Sequence, residues 1–226
     1  MTTMPTGAAI PRAITVTPLT HPEAVDLIVF AEVTSRRTYE ARYVHPTWPG
    51  GESGVTIGIG YDLAHHDPDD LVLDWPTMPP GSRALLERAC GVSGMPAKDA
   101  AAKLSSVVVP WDAAYACFRD RTLPKYERMT VDAFPDSVDL PPLCFGPLVS
   151  LVYNRGAGMG EQGKASWDSR REMRAIRDLI AAGRLDEVPA QFRAMKRLWP
   201  GVGGLLTRRD AEAAMWERGL AGLMEG

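Results

Sequence analysis

The chain has 226 residues, of which 45% are hydrophobic and 23% are charged. These proportions are ordinary for a globular protein and exclude a disordered, collagen-like or coiled-coil chain. With 25 Lys/Arg and 28 Asp/Glu the formal net charge is −3, which argues against nucleic acid as a partner. Residues 1–150 carry 12 basic and 18 acidic side chains, whereas residues 151–226 carry 13 and 10. The mildly basic C-terminal part could face an anionic polymer or simply be a solvated surface.

Cysteine usage and hydropathy narrow the class of protein further. Cys90, Cys117 and Cys144 are widely spaced among apolar residues, so we expect buried free thiols rather than disulfides or a zinc site. The sequence shows neither a secretory signal nor a run of apolar residues long enough to cross a membrane. It therefore predicts synthesis in the cytoplasm and no membrane insertion.

The first predicted helix follows residues 1–19, which we expect to form a flexible leader. Thr20 and Glu23 have capping-box spacing and Pro22 suits a first helical turn, so the helix should begin here and run to about Val33. A polar, aromatic loop, TSRRTYEARYVHPTWPGGESG, is predicted next. It leads to VTIGIGYDL, a Gly-rich stretch typical of a β-hairpin.

Helical patterns dominate from Asp67 onward. Asp67 is expected to cap a helix whose first residue is Pro68. The neighbouring His65 and His66 could suggest a metal ligand set, but adjacent histidines rarely bind one ion with good geometry. We therefore expect no metal site here.

Two later helices also have predicted starts. Ser169 and Glu172 have capping-box spacing before SRREMRAIRDLIAAG. Thr207 and Asp210 resemble a cap at the start of LLTRRDAEAAMWERGL.

These patterns together predict an α+β fold that is mainly α. A small N-terminal lobe, residues 20–66, should hold one helix and the β-hairpin. A larger helical lobe should follow at residues 67–226, the two lobes forming a single domain.

Glu32 is the first candidate for chemistry. At 100° per residue it falls between Val25 and Ile28 on the apolar face of the first helix, whereas Asp26 points away from the middle of that face. A carboxyl group placed there loses solvation and keeps its proton more readily, as a general acid near neutral pH requires. Alternatively, the side chain reaches solvent near the helix end or pairs with Arg36.

The Gly-rich hairpin is the second candidate. In an extended chain its apolar face holds Val55, Ile57, Ile59 and Tyr61, and its other face holds Thr56, Gly58, Gly60 and Asp62. The glycines would let a bulky ligand approach the backbone between Thr56 and Asp62. A straight strand would separate these two residues by about 20 Å, so joint action requires a bend at Gly58 and Gly60. Alternatively, Thr56 and Asp62 form only local hydrogen bonds in an ordinary hairpin.

The third candidate is Tyr153-Asn154-Arg155-Gly156, which closes an apolar helix. Asn and Arg followed by Gly fit a capping role at a helix C-terminus. Alternatively, Arg155 lines a cleft and meets a carboxylate. The sequence shows no nucleophile elbow, Cys/His pair or phosphate-binding loop.

Three segments in this order resemble phage-type lysozymes. They are Glu32 near the end of the first core helix, the hairpin residues 56–60, and the tail Gly204-Leu205-Leu206-Thr207-Arg208-Arg209, which is similar to the GL…RR segment of that family. Residues 48–56 with Tyr61-Asp62-Leu63 look closer to its divergent pesticin-like branch. LVSLVYNRG fits the long helix of the C-terminal lobe, and the resemblance covers roughly residues 20–220.

This resemblance implies a lysozyme-like fold and a muramidase, which hydrolyses the β-1,4 bond between N-acetylmuramic acid and N-acetylglucosamine in peptidoglycan. Glu32 would be the general acid and Thr56 would help position the attacking water. The phage enzymes carry an Asp six residues before the Thr, where this chain has Gly50. Pesticin-like relatives keep an Asp on the far side of the hairpin, which favours Asp62 as the second carboxylate, with Glu52 as the alternative.

On this interpretation the reaction inverts the anomeric carbon and needs no cofactor or metal. Tyr61, Gly58, Gly60, Asn154 and Arg155 are expected to bind the substrate. The alternatives are a lytic transglycosylase, which needs a single acid, and a lysozyme-like domain that binds glycan or protein without cutting it.

The resemblance also implies partners and a site of action. We expect a bacteriolytic monomer that acts on bacterial peptidoglycan in the periplasm or outside the cell, after holin release or export. An immunity or inhibitor protein is a further expected partner. The sequence leaves phage endolysin and bacterial effector or toxin as alternatives.

Overall fold

The structure, a computed structural model, describes residues 20–224, so the predicted leader at residues 1–19 lies outside the described residues. It is mainly helical, with 69% helix and 3% strand, which confirms the α+β, mainly α class. The α-helices of the described residues are α1 (Pro22–Val33), α2 (Arg36–Arg42), α3 (Pro68–Asp74), α4 (Pro80–Leu86), α5 (Gly94–Lys103), α6 (Trp111–Cys117), α7 (Leu123–Ala133), α8 (Pro142–Arg155), α9 (Ala165–Ser169), α10 (Arg171–Ala181), α11 (Val188–Ala194) and α12 (Gly203–Met224). Short 3₁₀ turns lie at Leu63–His65, Glu87–Ala89, Pro135–Asp139, Leu185–Glu187 and Met195–Leu198, and a π-helical turn at Phe118–Thr122 joins α6 to α7.

The sheet of the described residues is one antiparallel hairpin. Strand β1 (Thr56–Ile57) pairs with β2 (Tyr61–Asp62), so that Thr56 lies opposite Asp62. The turn between them contains Gly58 at φ +59° and Gly60 at φ +70°. Glycine adopts this left-handed backbone without a steric penalty. The bend therefore occurs at Gly58 and Gly60, as the sequence predicts.

The core is built as two apolar clusters that share one helix. The first packs α1 and the hairpin against α3 to α6, so the packing around the hairpin extends beyond the predicted small lobe of residues 20–66. The second packs α8 against α10, α11 and α12. Helix α8 is buried continuously from Cys144 to Val152 and contributes Phe145 and Val149 to the first cluster and Leu148 to the second. A helix that is apolar all round is expected to occupy such a position.

The first helix has the predicted bounds but a different cap. His21, rather than Thr20, is the N-cap, and its side chain accepts a hydrogen bond from the Glu23 N–H. The prediction was wrong because Thr20 is buried and donates both its N–H and its hydroxyl to Glu127 Oε1, at 2.9 and 2.7 Å. Helix α2 lies inside the predicted loop, where Ser35 caps it.

Later caps were predicted with mixed success. Asp67 and Asp70 form the N-terminal capping box of α3, which confirms the helical interpretation of that acidic segment. The predicted start at Thr207 is wrong because α12 already begins at Gly203. The start at Ser169 is also wrong, because Glu172 is buried and is held by Arg197 at 2.6 Å rather than by the helix terminus.

The three cysteines are free thiols, as predicted. Cys117 and Cys144 are also buried as predicted, whereas Cys90 is only partly buried, which corrects the expectation for this residue. Burial raises the pKa of Cys90 to about 11 and that of Cys144 to about 12. Among the residues that the structure describes, no helix is long and apolar enough to span a membrane.

Candidate functional site

Glu32 lies near the end of α1 on its buried face, as its wheel position predicts. Val25 and Ile28 on either side of it are core residues, whereas Asp26 is exposed. The Glu32 side chain itself retains 26% exposure, so its carboxylate lies at the boundary between core and solvent. This position gives a carboxyl group access to a ligand from one side only.

Arg208 holds this carboxylate from a segment 176 residues away. Its Nη1 donates to Glu32 Oε1 at 2.9 Å, and the Arg208 side chain is only 3% exposed. No residue from 20 to 224 donates a hydrogen bond to Glu32 Oε2, which is therefore the oxygen available to a ligand. The alternative partner considered from the sequence, Arg36, pairs instead with Glu40 at 2.7 Å.

Two tyrosines connect Glu32 to the hairpin. Tyr153 on α8 and Tyr126 on α7 pack with ring centroids 4.5 Å apart, and the Tyr153 hydroxyl donates to the Ile59 carbonyl at 2.9 Å. Burial raises the pKa of both phenols, and the negative charge of Glu32 raises each further. Glu32 thus lies within electrostatic reach of a tyrosine pair that touches the hairpin turn.

Thr56 and Asp62 are brought together by the bend. Directly opposite residues of an antiparallel pair have Cβ atoms about 5 Å apart on the same face, rather than the roughly 20 Å of a straight strand. The register of the hairpin therefore places Thr56 and Asp62 directly opposite each other, with their side chains on the same face. Within residues 20–224 the Thr56 hydroxyl has no hydrogen-bond partner.

The Asp62 carboxylate is occupied by local backbone groups. Its Oδ1 accepts from the Ala64 N–H at 2.9 Å and its Oδ2 from the Gly54 N–H at 3.1 Å. The first bond caps the 3₁₀ turn Leu63–His65, so the structural alternative considered from the sequence holds for this residue. Each carboxylate oxygen accepts more than one hydrogen bond, so both retain capacity for water.

Gly58 is buried, which corrects its prediction as a substrate-binding residue, whereas Tyr61 is almost fully buried but still borders a pocket next to Asp62. Tyr61 is 4% exposed and its hydroxyl donates to Asp74 Oδ2 at 2.9 Å. Gly58 is buried against Trp75, whose ring would lie 2.5 Å from a Cβ at that position. Tyr61 points into the first apolar cluster because strand side chains alternate between the two faces of the hairpin. Gly58 faces the same cluster because it lies in the tight turn against Trp75.

Gly60, by contrast, is exposed and borders a polar pocket of about 180 Å³ next to Asp62. Tyr126 lines the same pocket from α7, with Arg121 and Lys125 along the helical wall. Tyr126 therefore borders the Asp62 pocket and also lies close enough to Glu32 for the two groups to interact electrostatically. The described residues contain no group of three or more His, Cys, Asp or Glu side chains that could hold a metal ion.

Asn154 and Arg155 are engaged by other side chains and by the backbone. Asn154 Oδ1 accepts from Arg209 at 3.4 Å. Arg155 donates to the Ser169 carbonyl at 2.5 Å and lies 4.8 Å over the Trp199 ring. Burial, followed by the charges of Arg170 and Arg209, lowers the pKa of Arg155 to about 10. The capping interpretation is supported by Gly156, which ends α8 at φ +74° and whose N–H donates to the Val152 carbonyl. Asn154 and Arg155 are partly exposed, and their role in substrate binding stays a prediction.

Glu52, the alternative second carboxylate, lies on an exposed loop. A Cβ added to Gly94 at the start of α5 would be 3.6 Å from Glu52 Oε2, which places this carboxylate toward α5. Glu52 is thus not paired with Thr56, whereas Asp62 is.

Arg208 and Tyr126 were not singled out as site residues from the sequence, and Tyr153 was named only as part of the helix-closing segment Tyr153-Asn154-Arg155-Gly156. Arg208 belongs to the GL…RR tail, but its partner lies on the first helix and no local pattern connects the two. Glu212 was also missed, although it follows Arg208 by four residues and Arg209 by three, the spacing at which helical side chains pair.

Comparison with known proteins adds no relative. No family model matches the chain, and no curated protein has a matching sequence. The lysozyme resemblance therefore depends on the residues and the geometry described above.

Proposed function

We propose that the protein is a muramidase of lysozyme-like fold that hydrolyses the β-1,4 bond between N-acetylmuramic acid and N-acetylglucosamine. The observation that carries this proposal is the placement of Glu32. Its carboxylate is anchored through Oε1 by Arg208, while Oε2 has no hydrogen-bond donor among the described residues. Glu32 also lies within electrostatic reach of Tyr126 and Tyr153, and Tyr153 binds the turn of the Gly-rich hairpin. A glycosidase needs an acid fixed in this manner to protonate the leaving oxygen.

In this proposal Glu32 donates its proton to the glycosidic oxygen, and Thr56 and Asp62 handle the attacking water. The hairpin register supports the second part, because Thr56 and Asp62 are directly opposite and share one face of the hairpin. The two backbone bonds to Asp62 fix its orientation and leave lone pairs for water. An inverting enzyme leaves about 6.5–9.5 Å between its two carboxyl groups, which is room for that water.

A second candidate is a lytic transglycosylase, which forms an anhydro sugar by intramolecular attack and needs only Glu32. The two backbone hydrogen bonds to Asp62 favour this candidate, because they give Asp62 a structural role that requires no part in catalysis. Bacterial peptidoglycan is the substrate in both cases. Cell-wall localisation, a monomeric state and an immunity or inhibitor partner remain proposals that follow from the same activity.

Product analysis distinguishes these candidates. Purified peptidoglycan is digested with the protein and the soluble fragments are identified by mass spectrometry before and after borohydride reduction. Reducible muramic acid ends support hydrolysis, whereas 1,6-anhydro ends support the transglycosylase. Sedimentation with peptidoglycan and no soluble fragments would contradict both and leave a binding domain.

The second carboxylate is tested by two matched substitutions. We expect Asp62→Asn to reduce hydrolysis strongly and Glu52→Gln to leave it near the wild-type rate. The opposite pattern would transfer the role to Glu52. Retention of the β-anomer in the first product, measured by NMR, would reject the inverting mechanism for either residue.

A further inference from the structure

Three charged side chains of α12 are buried completely or almost so. The side chains of Arg208, Arg209 and Glu212 are 3%, 0% and 0% exposed. Burying charge is costly unless each group is paired and hydrogen-bonded. Such a cluster beside the proposed general acid therefore calls for a role beyond packing.

Glu212 is the centre of this cluster. Its Oε1 accepts from the Ser150 hydroxyl at 2.6 Å and from Arg209 Nη2 at 2.8 Å, and lies 3.5 Å from Arg208 Nε. Its Oε2 is buried without a hydrogen-bond partner among the described residues. One oxygen therefore carries the contact with both arginines.

Arg208 relays this contact to Glu32. Its Nε and Nη2 donate to the hydroxyl and the carbonyl of Ser150, both at 3.0 Å. The remaining Nη1 is the atom that binds Glu32 Oε1. The guanidinium is thus fixed by Ser150 and shared between two carboxylates.

Burial raises the pKa of Glu212, and the charges of Arg209 and Arg208 with the Ser150 hydrogen bond oppose that effect and favour the carboxylate. The charges of this cluster balance only when both carboxylates are ionised. A general acid must carry a proton before it reacts, and protonated Glu32 leaves Glu212 alone against two arginines. Without Glu212, Glu32 would be the only carboxylate bound to Arg208, and Arg209 would add a second unbalanced cation to the cluster, so the ionised, inactive form of Glu32 would be favoured. The other titratable groups that face Glu32 are Tyr126 from α7 and Tyr153 from α8, and burial raises the pKa of both, so they remain neutral.

We infer that Glu212 is a positioning and charge-balancing residue that keeps the arginine pair from locking Glu32 in its ionised form. This inference rests on the proposed function, in which Glu32 is the general acid. Glu212 acts through Arg208 and touches no substrate.

The test is the pH profile of peptidoglycan hydrolysis. In Glu212→Gln the alkaline limb should move to lower pH by about one unit, as expected at an effective dielectric of about 20 for a unit charge that acts across the Arg208 guanidinium over roughly 10 Å. In Arg209→Gln, which removes a neighbouring cation, the limb should move to higher pH. Glu212→Asp keeps the charge, so its limb should stay near the wild-type position. Ser150→Ala removes two hydrogen bonds without a change of charge and should lower the melting temperature while the limb stays in place.

A merely structural role predicts a different result. Activity would then fall by the same factor at every pH in folded Glu212→Gln, and that outcome would overturn the inference. Thermal denaturation shows which variants fold. If Glu212→Gln does not fold, the alkaline limb of Arg209→Gln tests the inference. A shift of that limb to higher pH supports it, and a limb that stays in place or moves to lower pH would overturn it.

A readout without activity separates this inference from the proposed function. The ¹³C signal of the Glu32 carboxyl, assigned by its loss in Glu32→Gln, should titrate at lower pH in Glu212→Gln than in the wild type. If the wild type cuts no peptidoglycan, the proposed function fails, yet this titration still measures the coupling. An unshifted titration in the folded variant would overturn the coupling itself.

Discussion

The two acidic positions of the candidate site are held in contrasting ways. Asp62 is fixed by backbone N–H groups two and eight residues away in the chain. Glu32 is fixed by a buried side chain 176 residues away, which belongs to a charged cluster. The groups that bind Asp62 are uncharged and lie nearby in the chain. Arg208, which binds Glu32, is charged and joins two helices that are far apart in the sequence. The contrast shows that one acid depends on hairpin geometry and the other on the packing of the whole molecule.

The largest effect on stability is expected at the distant, buried contact. Arg208→Met removes the partner of Glu32 and one of the two cations beside Glu212, so the free energy of unfolding should fall by about 3 kcal/mol. Arg218→Met is the matched control, because Arg218 forms an exposed ion pair with Glu23 at 2.8 Å. That change should cost less than about 1 kcal/mol, measured by urea denaturation. Equal losses in the two variants would mean that burial does not distinguish the contacts.

A similar loss is expected at the hairpin turn, where the constraint is steric. Gly58→Ala places a Cβ 2.5 Å from the Trp75 ring at φ +59°, so it should destabilise the protein by about 2–4 kcal/mol. Gly51 has the same φ, with no atom within 4 Å of an added Cβ. Gly51→Ala should therefore cost only about 1 kcal/mol, and a comparable cost at Gly58 would contradict the close packing of the turn.

The smallest of these effects is expected for Asp62. Asp62→Asn keeps one oxygen acceptor and loses the other, so we expect a loss of about 1 kcal/mol. Thermal unfolding with calorimetry can resolve it. A loss as large as that of Arg208→Met would mean that Asp62 also carries long-range interactions.

The predictable part of the molecule was the part fixed locally. The bounds of α1, the cap at Asp67 and the bend at Gly58 and Gly60 follow from residue types within a few positions of one another. The buried side of Glu32 follows from helical periodicity in the same way. Such features are independent of the rest of the chain, so a sequence pattern is sufficient to predict them.

What the sequence could not provide was the choice of distant partners. Thr20 and Glu172 have residue types and spacing suited to caps, but Glu127 and Arg197 engage them instead. Arg208 likewise gives no local sign that it binds the first helix. Hydrogen bonds between segments far apart in sequence depend on how the helices pack, and a single sequence does not encode that packing in a readable pattern.

The proposed function depends most directly on Glu32 as the proton donor. The decisive measurement is the rate at which reducing ends are released from purified peptidoglycan by the wild type, Glu32→Gln and Asp26→Asn, all shown to be folded by circular dichroism. Asp26 is an exposed acid on the same helix, and its substitution should leave the rate unchanged. We predict that Glu32→Gln lowers the rate by about 10⁴-fold or more, at or beyond the upper end of what a positioned acid contributes. A rate for Glu32→Gln within tenfold of the wild type would contradict the account.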